Sequence, residues 1–377
     1  MANIKAFRAL RAGLTEKGSL IKDLKIILEP SSNYSESLQP YLSSFRRLML
    51  NKSLYIENEP AIYIYENCGR NGKQRGIWAL TNVNDHTIND IILHEQTITE
   101  QEEKIKTYRE QIGLEGEPIL LTYLPRVELN ILIEKIIQST PPEYYFHEGV
   151  LHQLWKVTST AVIEELKREF SNLKNLYVAD GHHRLAAALS LQHEEEQWIS
   201  TLYVATDQLN IREFNRLILP DTHINREALL ELINQYFLVY AIPGNTPFRP
   251  ARHHQMGMCL CGKWYQLDLM EDKHPEIDAT ILQEYILEPF FKIEDPRDDS
   301  RLKNLDPLDG WAKLIVETKE NLSSIAFTLF PMTADQLISC ANEQKTLPPK
   351  STWIEPKIPY GLLLHWSKQP DLKEIVS

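Results

Sequence analysis

Cysteine is the first scarcity. Only Cys68, Cys259, Cys261 and Cys340 occur in 377 residues, too few and too scattered to staple a chain of this length. Glycine is also sparse, with 14 residues against an ordinary usage of roughly 7%, which excludes collagen-like sequence. No run of about 18 apolar residues occurs, so no membrane-crossing helix is expected. The start, MANIKAFRALRAGLTEKG, has no apolar stretch of roughly 7–15 residues before a small-residue cleavage site and does not read as a secretory leader. A reducing, cytoplasmic location is therefore expected. Positive charge is the remaining deficit: 40 Lys and Arg stand against 52 Asp and Glu, a formal net charge of −12. A broad grip on nucleic acid or anionic lipid draws on clustered cations, so neither partner is expected. A small local basic pocket stays open.

What is present is an ordinary globular mixture, 43% hydrophobic and 24% charged. A chain of this length can bury a sizeable core and divides into two or three units. No internal repeat of solenoid period is found. The texture suggests a mixed segment over residues 1–60, a core over 61–218 and a C-terminal α+β domain over 219–377 that ends in a Pro-rich loop. AIYIYE and GIWALT, joined by CGRNGKQR, read as a hairpin. A charged helix is expected from Thr99 to Gly113 and a buried strand at EPILLTYLP. LNILIEKIIQST fits a helix, or a strand and helix. HQLWKVT, STAVIEELKREFSNLK, NLYVAD, GHHRLAAALSLQHEEEQ and WISTLYVAT then alternate strand and helix, which indicates a mixed α/β or α+β fold. Cys259 and Cys261 lack the spacing and partners of a zinc pair. Alternation along MGMCLCGKWYQLDL instead predicts a strand with both sulfurs on one side, in a packing role.

One constellation carries chemistry. Tyr177-Val178-Ala179-Asp180 ends a strand, Gly181 makes a turn, and His182, His183 and Arg184 open an Ala-rich helix. A helix start presents unpaired N–H groups and a partial positive charge. Arg184 adds a planar fork suited to phosphate oxygens, and Gly181 lets a ligand approach the backbone. Asp180 is placed to hold a magnesium ion or a ribose hydroxyl, or to cap the helix. Consecutive helical side chains diverge by about 100°, so His182 and His183 do not readily chelate one ion. An acid/base role for one of them fits better. The competing reading is a capped, partly buried helix start.

Gly181, Arg184 and Ala187 reproduce the Gly-x-x-Arg-x-x-Ala spacing of the ParB/sulfiredoxin superfamily. More closely, VADGHHRLAAAL resembles the bacterial family known as domain of unknown function 1015. FRALR near the start, IILHEQT at 91–97, LLTY at 120–123 and LPPKSTWIEPKIPYGLL near the end extend that resemblance over most of the chain. It implies a ParB/sulfiredoxin-like nucleotide-binding core with additional N- and C-terminal α+β parts.

Within the superfamily, sulfiredoxin-type enzymes carry a nucleophilic cysteine where His182 stands, so sulfinic acid reduction is not expected. Partitioning ParB proteins have Gly-Glu-Arg-Arg and a separate DNA-binding helix pair, for which no basic recognition helix is found. The Asp-Gly-His-His-Arg version belongs to free-serine kinases of the SerK type, and all five residues match at 180–184. The resemblance thus implies a nucleotide-dependent small-molecule phosphotransferase using ADP, ATP or CTP with Mg2+. Gly181 and Arg184 would hold phosphates, and Asp180 a metal or ribose. His182 or His183 would face the transferring group or its acceptor. Glu95, beside His94, would be the base or a metal ligand, or else a cap for the helix near Thr99. Lys350, in the Pro-framed loop with Ser351, Thr352 and Lys357, would touch phosphate or be solvated. Two features depart from the family: the start lacks its Pro-Tyr-Asp segment, and Lys104 and Ile105 stand where members tend to carry Arg. A catalytically inactive nucleotide-sensing or partner-binding module is the first alternative, and a DNA-associated ParB-like protein the second.

Overall fold

A computed structural model describes residues 3–12, 19–29, 38–69, 72–83, 91–94, 99–191, 197–270, 276–297 and 299–368. The chain forms two compact units, one of residues 1–93, 97–210 and 356–377, the other of 94–96 and 211–355. The division expected at 218/219 thus falls at 210/211. The end of the chain, assigned from sequence to the C-terminal part, rejoins the first unit.

The first unit is built on a nine-stranded mixed sheet. Its order is Ile91–Ile92, Leu176–Asp180, Ile119–Tyr123, Trp198–Ala205, Gly72–Asn82, Ile62–Gly69, Val150–Val157 and Glu143–His147, with Ile4–Lys5 also paired to Gly72–Asn82. The expected hairpin is there, with Tyr63 opposite Trp78 and Ile64 opposite Ile77. Trp198–Ala205 runs parallel to Ile119–Tyr123, and Leu176–Asp180 antiparallel to it. LNILIEKIIQST, left open by its periodicity, is a helix over Val127–Ser139 that buries Leu129, Leu132, Ile133 and Ile136. Helix Thr160–Ser171 buries Ile163, Leu166 and Phe170. These i, i+3, i+4 stripes define one face of each helix, and both close over Ile64, Ile77, Trp155 and Tyr203 in one core. Each fully buried aliphatic or Phe side chain contributes roughly 1.5–3 kcal/mol relative to exposure.

The C-terminal segment threads back through this unit. Strand His365–Trp366 pairs with Leu114–Glu115, and Leu364 exchanges backbone hydrogen bonds with Leu10 at 2.9 and 3.0 Å. The Trp366 indole donates to the Ile112 carbonyl at 3.0 Å and meets the Phe45 ring edge-on at 4.9 Å. A buried ion pair anchors the tie: the Arg109 guanidinium meets the Glu115 carboxylate, which also accepts from the Ser200 amide at 2.7 Å and lies 3.2 Å from His365 Nδ1.

The second unit holds an antiparallel six-stranded sheet ordered Phe237–Ala241, Lys263–Leu269, Gln255–Leu260, Ile325–Thr328, Asn215–Ile218 and Leu302–Leu305. Ile233, Ile281 and Ile286 pack on one face with Met256 and Met258. Leu314, from helix Gly310–Glu320, packs on the other with Cys259 and Trp264. With both faces covered, all six residues of Gln255–Leu260 are buried. This corrects the placement of both sulfurs on one side. Cys259 sits in the Trp264 cluster, while Cys261 lies past the strand end and packs against the opposite cluster. The cause is a two-residue turn in which Cys261 (φ +55°) and Gly262 (φ +71°) both take the left-handed conformation that tight hairpins require. Among the described residues, no helix is long and apolar enough to cross a membrane.

Candidate anion-binding site

Strand Leu176–Asp180 delivers Asp180 to the end of the first unit's sheet, where a register shift between Val178 and Asp180 interrupts the pairing with Ile119–Tyr123. Gly181 then turns the chain with φ +94° and ψ 27°, the left-handed region that side chains disfavour. A Cβ there would lie 3.0 Å from Ile119 Cγ2 and 3.1 Å from Arg184 Nε and Nη2. Glycine is required for both reasons. Helix His182–Ser190 follows and packs against helix Thr99–Gln111. Leu185 and Ala188 pack into the core of the sheet, and Ala187 is buried beside them.

Charges converge on this turn. Lys357 donates to Asp180 Oδ2 at 3.0 Å, and Arg184 Nη2 lies 4.0 Å from Asp180 Oδ1. The other arm of the Arg184 fork donates to Glu117 Oε2 at 3.2 Å, and Lys25 donates to Glu117 Oε1 at 2.7 Å. Glu29 flanks Lys25 at 4.0 Å. Three cations thus share the carboxylates of Asp180 and Glu117. Burial opposes ionisation of Asp180, but Lys357 and Arg184 outweigh it and hold the carboxyl far below its usual range. Burial likewise opposes the charge on Lys25, and Glu117 raises its pKa regardless. Burial raises the Glu29 carboxyl. His182 is buried and His183 half-buried in the first turn of the helix.

Five of the seven residues singled out in the sequence, Asp180, Gly181, His182, His183 and Arg184, therefore form one turn. Lys350 belongs to the second unit, with φ +58°, its ammonium 5.8 Å from the Phe214 ring centre and its carbonyl accepting from Arg216 at 3.1 Å. Glu95 lies outside the described residues. Its neighbour His94 is buried, which lowers the ring pKa to about 4, so the imidazole is neutral. Lys104 forms an i, i+4 pair with Glu100 at 2.6 Å on its own helix.

Sequence reasoning missed Lys25 and Glu117, and it grouped Lys357, which donates to Asp180, with Lys350. The rigid, Pro-framed loop was the sole clue to Lys357. Nothing in the pattern of a short charged helix marked Lys25. Among the described residues no three His, Cys, Asp or Glu side chains form a metal-binding group.

These features define a mixed α+β protein with a cation-lined strand-to-helix turn. Residues 24–305 match the family described as protein of unknown function DUF1015, and the chain belongs to that family. No curated protein matches the sequence. Among solved structures, it is similar to a C-terminally truncated SbnI from Staphylococcus aureus at 13% identity and TM-score 0.44, covering 79% of this chain and 92% of that one. A free serine kinase variant in complex with ADP aligns at 12% identity and TM-score 0.42, over 76% of this chain and 92% of that one. A conserved hypothetical protein from Pyrococcus furiosus aligns at 11% identity and TM-score 0.40, over 76% and 94%.

Proposed function

We propose that the turn at 180–184 binds the phosphates of a nucleotide such as ADP, ATP or CTP, and that the protein transfers a phosphoryl group to a small hydroxyl-bearing molecule. The observation that carries this reading is the convergence of Lys25, Arg184 and Lys357 on the start of the helix that Gly181 opens. Partly exposed ion pairs are worth only about 0.2–1 kcal/mol each, so a phosphate group can displace Glu117 from the Arg184 fork at little cost. The helix start also carries a partial positive charge that favours an anion. Asp180 supplies one carboxylate for Mg2+, which commonly takes one or two protein carboxylates together with substrate phosphates. Glu95 is retained as base or second metal ligand, His182 or His183 as the group facing the transferred phosphoryl, and Lys350 as a further phosphate contact. The Gly181, Arg184 and Ala187 spacing supports a ParB/sulfiredoxin-like core.

A second reading has its own support. Lys357 occupies the Asp180 carboxylate, and the sequence lacks the family's Pro-Tyr-Asp segment, which together favour nucleotide sensing without turnover. Phosphorus NMR of the protein with magnesium, nucleotide and a pool of amino acids and hydroxy acids separates the two. A new phosphomonoester signal that disappears in Arg184→Ala supports transfer. An unchanged nucleotide spectrum despite binding supports the sensing module.

A further inference from the structure

Strand Glu143–His147 is the last strand of the nine-stranded sheet, so its outer edge carries backbone N–H and C=O groups that no described strand pairs. Proteins ordinarily protect such an edge with Lys, proline, a bulge or a cover. This strand reads Glu-Tyr-Tyr-Phe-His and runs in unbroken register against Val150–Leu154. Tyr144 and Phe146 are 63% and 77% exposed on one face. The other face is pinned, because the buried Arg11 guanidinium binds the Glu143 carboxylate at 2.6 Å and also meets the Tyr145 hydroxyl. The edge is therefore free of bulges, apolar on one side and held against slippage.

We propose that this edge pairs with the same edge of a second copy of the chain, antiparallel about a two-fold axis at Tyr145. Directly opposite residues of an antiparallel pair share a sheet face, and a two-fold contact must be self-complementary. Centred on Tyr145, Tyr144 of each copy faces Phe146 of the other, and Glu143 of each faces His147 of the other. The four exposed aromatics form one cluster, and unlike groups meet at both ends. Moving the centre to Tyr144 would set Phe146 against Pro142, and moving it to Phe146 would set Tyr144 against Glu148, so only one register satisfies the sequence. Helix Val127–Ser139, which Glu134 ties through Arg75 to Glu66 on that same face, adds exposed Val127 and Ile131 to the apolar surface.

Sedimentation of the full chain across micromolar to sub-millimolar concentrations tests the pairing. The wild type is expected at twice its 43.8 kDa chain mass. Tyr144→Lys with Phe146→Lys sets Lys against Lys twice and is expected to halve that mass. Tyr144→Glu with Phe146→Lys sets Glu against Lys and is expected to keep the dimer. Hydrogen exchange at the 143–147 amides of the wild type, expected to quicken on dilution, gives a reading independent of variant folding. A wild type of single-chain mass throughout, a double-Lys variant that stays dimeric, or exchange indifferent to dilution would overturn the proposal.

Discussion

Gly181 holds φ +94°, and a Cβ there would lie 3.1 Å from Arg184 Nε and Nη2, so one methyl group there tests both strain and site geometry. The left-handed conformation costs an alanine roughly 1–2 kcal/mol. Its Cβ would also push the Arg184 guanidinium away from its present position. Gly181→Ala is therefore expected to lower unfolding stability by about 1–2 kcal/mol in a urea titration, and to weaken nucleotide binding besides. Loss of stability with unchanged affinity would separate the turn from the ligand. Histidine gives a second residue-scale expectation. His94 and His152 are buried, and burial first of all, with His147 adding to it for His152, lowers both ring pKa values from 6.5 to about 4. Below pH 6.5 the unfolded chain takes up protons that the folded one refuses, so stability falls as pH drops from 6.5 towards 4. Above 6.5 these two groups contribute their full stability. Urea midpoints measured across that window are expected to decline with acidity, and His152→Gln is expected to flatten part of the slope. A profile identical to wild type would contradict that assignment. The carboxylates act lower down: Glu115 and Asp180, both depressed, lose their contribution only as pH falls below their unfolded values of 4.5 and 3.8.

At the scale of elements, the return of the C-terminal segment explains how Lys357 reaches Asp180. Strand His365–Trp366 is fixed to Leu114–Glu115, and Glu115 is the hub of Arg109, His365 and the Ser200 amide. Arg109 is only 8% exposed. Glu115→Ala would leave that guanidinium buried without its carboxylate, a loss of about 3–5 kcal/mol. Chemical denaturation checks the magnitude, and a change under 1 kcal/mol would show the tie to be dispensable. None of this was legible in the sequence, because pairing between residues some 250 positions apart leaves no local period. The local elements were legible for the opposite reason. The β-branched and aromatic runs of AIYIYE and GIWALT, the stripe of STAVIEELKREF and the breaks at Gly181 and Gly113 each carry their own signal within a few residues. The ambiguity of LNILIEKIIQST arose because a short apolar run serves either period, and sheet packing decided it. At the site, the turn could be read because Asp, Gly, His, His and Arg are contiguous. Lys25, Glu117 and Lys357 come from three separate segments, and only folding assembles them.

At the scale of the whole molecule, the net charge of −12 and the cation cluster are reconciled by size. A chain with a net charge of −12 still presents Lys25, Arg184 and Lys357 around one turn, an arrangement proposed here to suit a single small phosphorylated ligand. Each of the two units has its own sheet and core, and a nucleotide bound at the 180–184 turn is expected to stabilise the fold. Saturation at 100-fold over Kd adds about 2.7 kcal/mol, which a thermal melt reads as a clear rise in midpoint. The exposed edge strand predicts in addition that the particle in solution contains two copies. Dimerisation and nucleotide binding use different residues, so the double-Lys variant at 144 and 146 is expected to bind nucleotide as the wild type does. The most direct measurement is isothermal calorimetry of ADP, ATP and CTP with Mg2+ against the wild type and Arg184→Ala. Saturable binding of at least one nucleotide is expected, weakened more than tenfold by Arg184→Ala. No heat with any of the three, or equal affinity in both proteins, would contradict it.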